Sequence, residues 1–385
     1  MLLNQLGQCF RQHRVGERLH RSLVKGTIEG ETMGKIPAAF EDITADWLNE
    51  HASLGGTVAS VEIERIGEGF GMISLIGRAT LRYSDGTGPE TVVVKLSSPV
   101  PELVALAQMY GFYEREVNFY THAASQLPNV AECHHAEIDS SGAECALVLQ
   151  DMGHLRMADQ VVGCTPDDAR ATMDAAAALH TRFWQNDALA SLTWLPAADN
   201  PQYREAEPQY QEHFPAFAEK YGDTISPGAM RVAEDLRTRI VKLQILAASE
   251  ETQTLAHFDL RLDNLMFSPE QVYFLDWQLS VRAIGAVDVA YFIGWSMQND
   301  LRRELAEELI ARYHAQLLEA GVKGYSLAEC EDHVRRSMLG VAMIAAYGAI
   351  AVPATNERGQ QLLDAMVDRV FSAVDDLGSG EFLPD

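Results

Sequence analysis

Cysteine is scarce in this sequence and follows no recognisable spacing. The 385 residues contain five cysteines, and no two of them form a C-x-x-C pair. They are Cys9, Cys133, Cys145, Cys164 and Cys330. An odd number of scattered cysteines predicts neither a disulfide framework nor a zinc site, and it is typical of proteins in a reducing compartment.

Basic residues are also scarce. Lys and Arg together number 30 against 55 Asp and Glu, which gives a formal net charge of −25. A surface this negative repels nucleic acid and anionic membranes, so we expect neither as a partner. The same charge would mildly favour cationic ligands, or it serves solubility alone.

Long hydrophobic runs are also missing. The most apolar stretch, residues 339–353, is shorter than the ~20 residues that a membrane-spanning helix needs, and it predicts a buried helix. Leu2 and Leu3 are soon followed by Gln, Arg and His, so no secretory hydrophobic region forms. We therefore expect a cytoplasmic protein.

The patterns that are present divide the chain into a short extension (1–36), a β-rich part (37–150) and a helical part (151–385). Strands are predicted at 58–63, 73–83, 91–95 and 146–149, and a helix at 103–126. Further helices are predicted at 167–185, 227–248, 286–297, 301–320, 326–350 and 357–377. A small antiparallel sheet followed by a large helical part, without internal repeats, predicts an α+β fold.

The stretch from His257 to Gln278 carries the strongest chemical signal. Asp259 is followed by Asn264 five residues later and by Asp276 twelve residues beyond that. Transfer of a phosphoryl group from a nucleotide needs one oxygen base to orient the acceptor hydroxyl and at least two oxygen ligands for Mg²⁺. The H-x-D-x-x-x-x-N spacing is that of a kinase catalytic loop. We therefore predict Asp259 as the base, and Asn264 and Asp276 as ligands of Mg²⁺.

Other polar residues in or near this stretch have more than one interpretation. Arg261 would neutralise charge on the moving γ-phosphoryl group, or it pairs with Asp263 or another acid. We interpret His257 as a structural hydrogen-bonding residue, because Asp259 already fills the role of the base. Asp288 either caps the next helix or braces the catalytic loop.

Upstream, Lys95 ends a strand of β-branched residues. In kinases the lysine of the third strand contacts the α- and β-phosphates and is held by a glutamate from the following helix. Glu114 and Glu116 are the candidates, and we prefer Glu116 because the apolar residues after it would hold that helix face against the sheet. The alternative is that Lys95 is a strand-end lysine that extends into solvent.

Two further segments lie where we expect contacts with the nucleotide. Gly67 and Gly69 lie in a glycine-rich turn between two predicted strands, where backbone N–H groups can approach phosphate oxygens. No helix follows the turn, so it is neither a Walker loop nor a Rossmann turn. Leu149 and Asp151 lie where the β-rich part joins the helical part. They are either a hinge that offers main-chain groups to adenine or an ordinary connector.

These motifs resemble the phosphotransferase superfamily of aminoglycoside, choline and ecdysteroid kinase-like enzymes. Residues 257–267 (HFDLRLDNLMF) are similar to the H-G-D-x-R-x-D-N-x-x-F loop of that superfamily, and residues 274–278 (FLDWQ) are similar to its metal-binding segment. The resemblance covers about residues 37–377. It implies a two-lobed protein kinase-like fold, with a nucleotide-binding N-lobe (37–150) and a helical C-lobe (151–385) that carries the catalytic loop and the acceptor site. It also implies ATP with Mg²⁺ as the donor and a hydroxyl of a small molecule as the acceptor.

The acceptor itself is not encoded by a motif. Only eleven residues lie between Asp276 and Asp288, too few for the activation segment on which protein kinases lay a peptide, so we expect a small acceptor. Phe258 stands where the superfamily usually has Gly, and its bulk could reshape the acceptor side. Acidic residues of the helical part would suit a cationic acceptor or form a solvated face: Glu205, Glu207, Glu212, Glu219 and Asp223. A nucleotide-binding pseudokinase that regulates without transferring phosphate is the alternative, and no motif indicates an oligomeric state.

Overall fold

A computed structural model describes most of the chain. The described residues are 36–66, 73–351, 354 and 356–385. Of the predicted N-terminal extension, only Ile36 belongs to them. The predicted glycine-rich turn with Gly67 and Gly69 lies outside the described residues.

The described residues form two compact units. The sheet unit consists of the described residues up to Tyr113 together with Cys133–Gln150. The helical unit consists of Glu114–Glu132 and Asp151–Asp385. The chain therefore passes from the sheet unit to the helical unit between Gln150 and Asp151. The segment Glu114–Glu132 belongs to the helical unit although it precedes that point.

Most of the longer strands lie early in the chain, and most of the helices follow. The strands are β1 (Gly56–Arg65), β2 (Ser74–Gly86), β3 (Thr91–Ser97), β4 (Cys133–Ile138), β5 (Cys145–Gln150), β6 (Arg156–Met157), β7 (Thr254–Ala256), β8 (Leu265–Phe267), β9 (Val272–Phe274) and β10 (Val281–Ala283). The α-helices are α1 (Ala45–His51), α2 (Pro101–Tyr110), α3 (Phe112–His122), α4 (Pro166–Phe183), α5 (Asp187–Ser191), α6 (Ala206–Tyr221), α7 (Pro227–Asp235), α8 (Ile240–Ser249), α9 (Ala286–Trp295), α10 (Asn299–Glu319), α11 (Leu327–Ala351) and α12 (Glu357–Asp376). An antiparallel sheet followed by a large helical part confirms the predicted α+β fold class.

The sheet unit is built on a five-stranded antiparallel sheet with the strand order β1-β2-β3-β5-β4. Val92, Val94 and Leu96 alternate along β3 and are fully buried in the core of this unit, as the period of two predicts. Leu48 of α1 joins the same core. Burial of such a side chain stabilises the fold by about 1.5–3 kcal/mol.

The segment predicted as one helix at 103–126 is helical, but Gly111 divides it into two helices. Gly111 has φ = 68°, and its N–H bonds to the carbonyls of Ala107 and Gln108. This left-handed conformation is open to glycine at no steric cost, and it ends α2 at Tyr110. Helix α3 follows directly and continues in its own register.

Other elements also differ from the sequence-based prediction. β4, which contains His134 and His135, is partly exposed along its whole length, so no alternation of polar and apolar residues marks it. Helix α6 was also not predicted, and its internal Pro215 removes a backbone donor and obscures the helical pattern. The helix predicted at 227–248 is interrupted at Arg239, whose φ of −126° is not helical.

Helix α11 is a core helix of the helical unit. Within the described chain it is the one helix that is long and apolar enough to cross a membrane by length and composition. However, 56% of its apolar window is buried inside the protein, and α6, α9 and α12 pack against it. Such packing is that of a core helix, and it confirms the buried helix predicted from residue 339 onwards as far as Ala351.

Candidate active site

The candidate catalytic loop and the candidate metal segment are held by strands that pair with one another. The catalytic loop (257–264) connects β7 to β8, and the metal segment (275–280) connects β9 to β10. β8 pairs with β9 and β7 pairs with β10, both antiparallel, so the two loops lie side by side. The backbone N–H of Leu275 donates to the carbonyl of Asn264 at 2.9 Å and joins them directly.

Side chains of the catalytic loop fix the Asp259 carboxylate. Nδ2 of Asn264 donates to Oδ2 of Asp259 at 2.8 Å and to the Asp259 carbonyl oxygen at 2.9 Å. Nε of Arg261 donates to Oδ1 of Asp259 at 3.1 Å. The carboxylate is therefore both buried, at 8% exposure of the residue, and oriented from two sides.

Arg261 is shared between two carboxylates. Besides its bond to Asp259, its Nη1 donates to Oδ2 of Asp263 at 2.7 Å. Burial lowers the pKa of the Arg261 guanidinium, but the negative charges of Asp259 and Asp263 outweigh burial and raise it, so the group is a permanent cation. Burial also raises the pKa of Asp263, against the opposing effect of Arg261. The structure thus shows the ion pairing that was one of the two interpretations of Arg261.

The two candidate metal ligands offer an amide oxygen and a carboxylate. Both hydrogen bonds of Asn264 to Asp259 use Nδ2, which orients its Oδ1 as the oxygen for a cation. Asp276 has φ = 62°, and Nε2 of Gln278 donates to its Oδ2 at 3.1 Å. Such hard oxygen ligands fit Mg²⁺, which keeps waters and takes phosphate oxygens for its other positions. Within the described chain no group of three or more His, Cys, Asp and Glu could hold a metal.

Asp288 of α9 braces the catalytic loop. Its Oδ2 accepts from the backbone N–H of His257 at 2.7 Å, and its Oδ1 accepts from the N–H of Phe258 at 2.8 Å. Nε2 of His180 lies 3.1 Å from Oδ2, and Nδ1 of His180 lies 2.8 Å from the hydroxyl of Tyr313. Asp288 and His180 are fully buried, and no side chain caps α9. Of the two interpretations of Asp288, the structure therefore shows the brace.

His257 links the two loops by hydrogen bonds. Its Nε2 lies 2.8 Å from the carbonyl oxygen of Leu275, and the backbone N–H of Asp259 donates to its Nδ1 at 3.3 Å. Both ring nitrogens are thus engaged with backbone groups. This is the structural role that the sequence predicted for His257.

Substitution of Gly285 by alanine is expected to destabilise this brace. The backbone of Gly285 is ordinary (φ = −62°), but a Cβ there would lie 2.4 Å from the hydroxyl of Tyr313 and 2.6 Å from Nδ1 of His180. Overpacking of this kind costs about 1–3 kcal/mol, which urea unfolding would measure. Gly340→Ala in α11 is the control, since a Cβ there meets no atom within 4 Å and should stabilise by about 0.5–1 kcal/mol. Equal effects of the two substitutions would contradict the crowding of Gly285.

Phe258 has a backbone conformation that favours glycine. Its φ is 65°, where a residue with a side chain is strained by an amount on the order of 1 kcal/mol. This gives a physical reason for Gly at the same place in the similar loops. The side chain packs against a small hydrophobic cluster, formed by Ala256, Val281, Ala283 and Val287.

Helix α3, which carries Glu116, is tied to the metal segment. The ring of Phe119 stacks on Trp277 with the ring centroids 3.6 Å apart and the planes 9° from parallel. Nη1 of Arg115 donates to the carbonyl of Ser280 at 3.3 Å. Because Trp277 directly follows the candidate metal ligand, the position of the helix with Glu116 is coupled to that of the metal segment.

Lys95, which is predicted to contact the phosphates, and its predicted partner Glu116 are both buried. Lys95 lies on β3 between Ile76 of β2 and Leu147 of β5, and it is 7% exposed, so it does not extend into solvent. Glu116 is 3% exposed whereas Glu114 is exposed, which agrees with the preference for Glu116. The roles of Lys95 and Glu116 stay predictions.

Leu149 and Asp151, which are predicted to lie beside adenine, stand on either side of the point where the chain passes from the sheet unit to the helical unit. Leu149 lies on β5 and is 7% exposed. Asp151 belongs to the helical unit, and its Oδ1 accepts from the N–H of Gly153 at 2.9 Å. Their contact with adenine stays a prediction, as does the contact of Gly67 and Gly69 with phosphate.

The family follows from a comparison with known protein families. The profile of the ecdysteroid kinase-like family matches residues 68–323, a span that includes the whole catalytic loop and the metal segment. The chain belongs to the ecdysteroid kinase-like family. The predicted superfamily is thereby confirmed, and the chain is a member of a kinase-like family.

Solved structures show the fold of this ecdysteroid kinase-like protein. A provisionally assigned aminoglycoside phosphotransferase from Ralstonia eutropha JMP134 is 19% identical with a TM-score of 0.53, over 89% of this chain and 98% of that one. Choline kinase from Cryptosporidium parvum Iowa II is 11% identical with a TM-score of 0.52, over 84% of this chain and 92% of that one. The shared architecture is protein kinase-like. A comparison with curated proteins finds no match.

Phe119 and Tyr291 of this ecdysteroid kinase-like protein were not predicted as site residues, but both lie near the site. Phe119 contacts the metal segment through Trp277, and the charge of Asp259 helps, after burial, to raise the pKa of the Tyr291 hydroxyl. Helical spacing was the signal that could have found them, because residues three apart lie on the same helix face. Phe119 stands three residues after Glu116, and Tyr291 stands three after Asp288.

Proposed function

We propose that this chain transfers the γ-phosphoryl group of ATP to a hydroxyl of a small molecule. The observation that carries the proposal is the buried Asp259 carboxylate, which Asn264 and Arg261 hold in place. Its loop is hydrogen-bonded to the segment with Asp276. A fixed carboxylate beside two oxygen ligands is the arrangement that phosphoryl transfer requires.

In this proposal Asp259 orients the acceptor. Its carboxylate accepts a hydrogen bond from the acceptor hydroxyl and takes the proton as the hydroxyl oxygen bonds to the γ-phosphorus. The bond from the γ-phosphorus to the β,γ-bridging oxygen breaks, and ADP leaves. Arg261 acts through Asp259, because its guanidinium is engaged with Asp259 and Asp263 and fixes the direction of the base.

ATP and Mg²⁺ are the cofactors that this proposal requires. Oδ1 of Asn264 and the carboxylate of Asp276 would hold Mg²⁺, which neutralises charge on the phosphates when bound. Lys95 would bind the α- and β-phosphates with Glu116 as its partner. The remaining nucleotide contacts would come from backbone groups at Gly67, Gly69, Leu149 and Asp151.

The short connection after Asp276 supports a small acceptor. The eleven residues before Asp288 are occupied by the turn Trp277–Leu279, by β10 and by the first residues of α9. No length remains for a peptide-binding platform. The net charge of −25 would favour a cationic acceptor and disfavour nucleic acid and anionic membranes, and we expect the protein to work in the cytoplasm.

A phosphorylation screen tests the proposal. Purified protein would be incubated with ATP, Mg²⁺ and a library of hydroxyl-bearing metabolites, and products 80 Da heavier would be detected by mass spectrometry. In Asp259→Ala we expect transfer to any accepted metabolite to fall by about 10²–10⁴-fold, because the general base is lost. Asp300→Ala, which changes a fully exposed aspartate of α10, should leave transfer unchanged.

The screen also separates the alternative function. Mg²⁺-dependent ATP binding without transfer to any metabolite would favour a regulatory pseudokinase. Transfer that survives Asp259→Ala would contradict the role of Asp259. Transfer to proteins of a cell extract, but to no metabolite, would contradict the small acceptor.

A further inference from the structure

Helices α8 and α11 of the helical unit leave a cleft between them. Leu243 and Ala247 lie on the same face of α8 as the buried Ile240, but both are half-exposed. On α11, Gly340 and Ile344 are half-exposed in the same way. A Cβ on Gly340 would meet no atom of the described residues within 4 Å. The facing sides of the two helices are therefore apolar and incompletely covered.

Polar contacts flank Gly340 along α11. Gly340 stands four residues after Arg336 and seven before Tyr347, so all three share one face of the helix. Nη2 of Arg336 lies 2.5 Å from Oε1 of Glu250, which directly follows α8. The hydroxyl of Tyr347 donates to Oε1 of Gln209 in α6 at 2.8 Å. The open side of Gly340 therefore faces the cleft, with α8 at one end and α6 at the other.

A buried amide at the α6 end of the cleft has an unused donor. Gln209 is 7% exposed, and its Oε1 is engaged with Tyr347. Its Nε2 is buried and has no hydrogen-bond partner among the described residues. A buried donor without a partner costs about 1–3 kcal/mol, so the cleft favours a ligand that brings an oxygen acceptor.

Two acids that border the cleft are already engaged. Oε2 of Glu207 accepts from the backbone N–H of Val241 at 3.0 Å. Glu250 pairs with Arg336, and Nε2 of His333 lies 3.4 Å from its other oxygen. An apolar lining with a few polar groups is typical of small-molecule sites. Because the acids are engaged, the lining favours a neutral ligand over a cation.

The cleft is connected to the candidate metal segment through Tyr203. Nε2 of Gln244 in α8 donates to the carbonyl of Tyr203 at 2.9 Å. Nη1 of Arg115 donates to the hydroxyl of Tyr203 at 3.0 Å and to the carbonyl of Ser280, the last residue of the metal segment, at 3.3 Å. Tyr203 thus bridges α8 and the metal segment.

We propose that this cleft holds the body of the acceptor, and that the acceptor is a neutral, largely apolar alcohol with a carbonyl or ether oxygen for Nε2 of Gln209. The proposal rests on the proposed phosphotransfer, because it places the acceptor of that reaction. The net charge of −25 acts at long range and is screened by salt beyond about 8 Å, whereas the lining contacts the ligand directly. The lining therefore decides the class of acceptor.

Binding can be measured without ATP by titration with prodan, a neutral naphthalene that has a carbonyl but no hydroxyl and emits at shorter wavelength in apolar sites. We expect saturable binding to wild type, weakened by about tenfold or more in Gly340→Leu because the new side chain fills the cleft. Ala315→Leu adds the same side chain at an exposed position of α10 and should bind like wild type. No binding to wild type, or equal binding to Gly340→Leu, overturns the proposal whether or not the chain transfers phosphate.

The amide is tested by Gln209→Met, which keeps the length of the side chain and removes Nε2. We expect the affinity for prodan to fall about 3- to 10-fold, the value of one hydrogen bond. Gln211→Met makes the same change on an exposed side chain of the same helix and should bind like wild type. Equal affinities of the two variants would contradict the role of Gln209.

The phosphorylation screen tests the class of acceptor. We expect the accepted metabolites to be neutral apolar alcohols, and Gly340→Leu to raise their KM by about tenfold with the KM for ATP unchanged. Transfer to amino alcohols or polyols alone would overturn the proposal while the proposed function stands. Prodan binding that responds to both substitutions, in a chain that transfers to no metabolite, would support the cleft while the proposed function fails.

Discussion

Replacement of Asp276 by asparagine is expected to lower ATP turnover by about 10²–10³-fold. The change removes the only full negative charge of the two candidate metal ligands, since Asn264 offers an amide oxygen. Single preorganised electrostatic groups in active sites contribute this much to rate. Asparagine tolerates the φ of 62° at this position as well as aspartate does, so the backbone should be preserved. The measurement is ADP release at saturating acceptor over a range of Mg²⁺ concentrations.

The Mg²⁺ dependence makes this prediction specific to a metal ligand. Part of the lost rate should return at high Mg²⁺, because a weakened site needs more cation to fill. Asp300→Asn makes the same chemical change at a fully exposed position and should turn over like wild type. Unchanged turnover of Asp276→Asn at low Mg²⁺ would remove Asp276 from the metal site.

Replacement of Asp288 by asparagine is expected to lower the free energy of unfolding by about 2–4 kcal/mol. Its two oxygens accept from two different backbone N–H groups, those of His257 and Phe258. An amide has one oxygen, so an NH₂ group would face one of these donors in a fully buried site, and the partner of His180 would lose its charge. Unsatisfied buried donors and broken buried pairs cost this much. Chemical denaturation measures the effect, and turnover should fall with it because the catalytic loop loses its brace.

A surface ion pair provides the comparison for Asp288→Asn. Asp174 accepts from Nε and Nη2 of Arg312 at 2.7 and 2.6 Å, but both side chains are more than a third exposed. Asp174→Asn should therefore cost less than about 1 kcal/mol, because solvent screens the pair. An equal loss of unfolding free energy at the two positions would show that burial of the Asp288 network does not increase its contribution to stability.

The catalytic loop could be predicted from the sequence because its contacts are local. The hydrogen bonds from Asn264 and Arg261 to Asp259 span five and two residues, so spacing alone encodes them. The strands of the sheet unit were predictable for a similar reason, since alternation along 91–95 is what burial of one sheet face requires.

Contacts between distant parts of the chain were not predictable in this way. The hydrogen bond between His180 and Asp288 spans 108 residues, and the stack of Phe119 on Trp277 joins two distant segments of the sequence that no short spacing relates. The choice between cap and brace for Asp288 needed the tertiary fold.

Backbone conformation was the other missing information. The sequence marks Phe258 only as a departure from the glycine of similar loops. Its φ of 65° shows that the position demands a left-handed backbone, which this chain accepts with a phenylalanine that packs on a hydrophobic cluster. Gly111 is the converse case, where a glycine inside an apparent helix ended that helix.

Trp277 gives the protein an intrinsic fluorophore at the centre of its candidate site. It is one of five tryptophans in the chain, is fully buried, and directly follows Asp276. Its indole stacks on Phe119 and meets the ring of His257 at 4.7 Å, so its emission depends on the relative placement of three segments of the candidate site. Binding of a nucleotide or a cation can therefore be followed as a change in native light emission, without a label and before any acceptor has been identified.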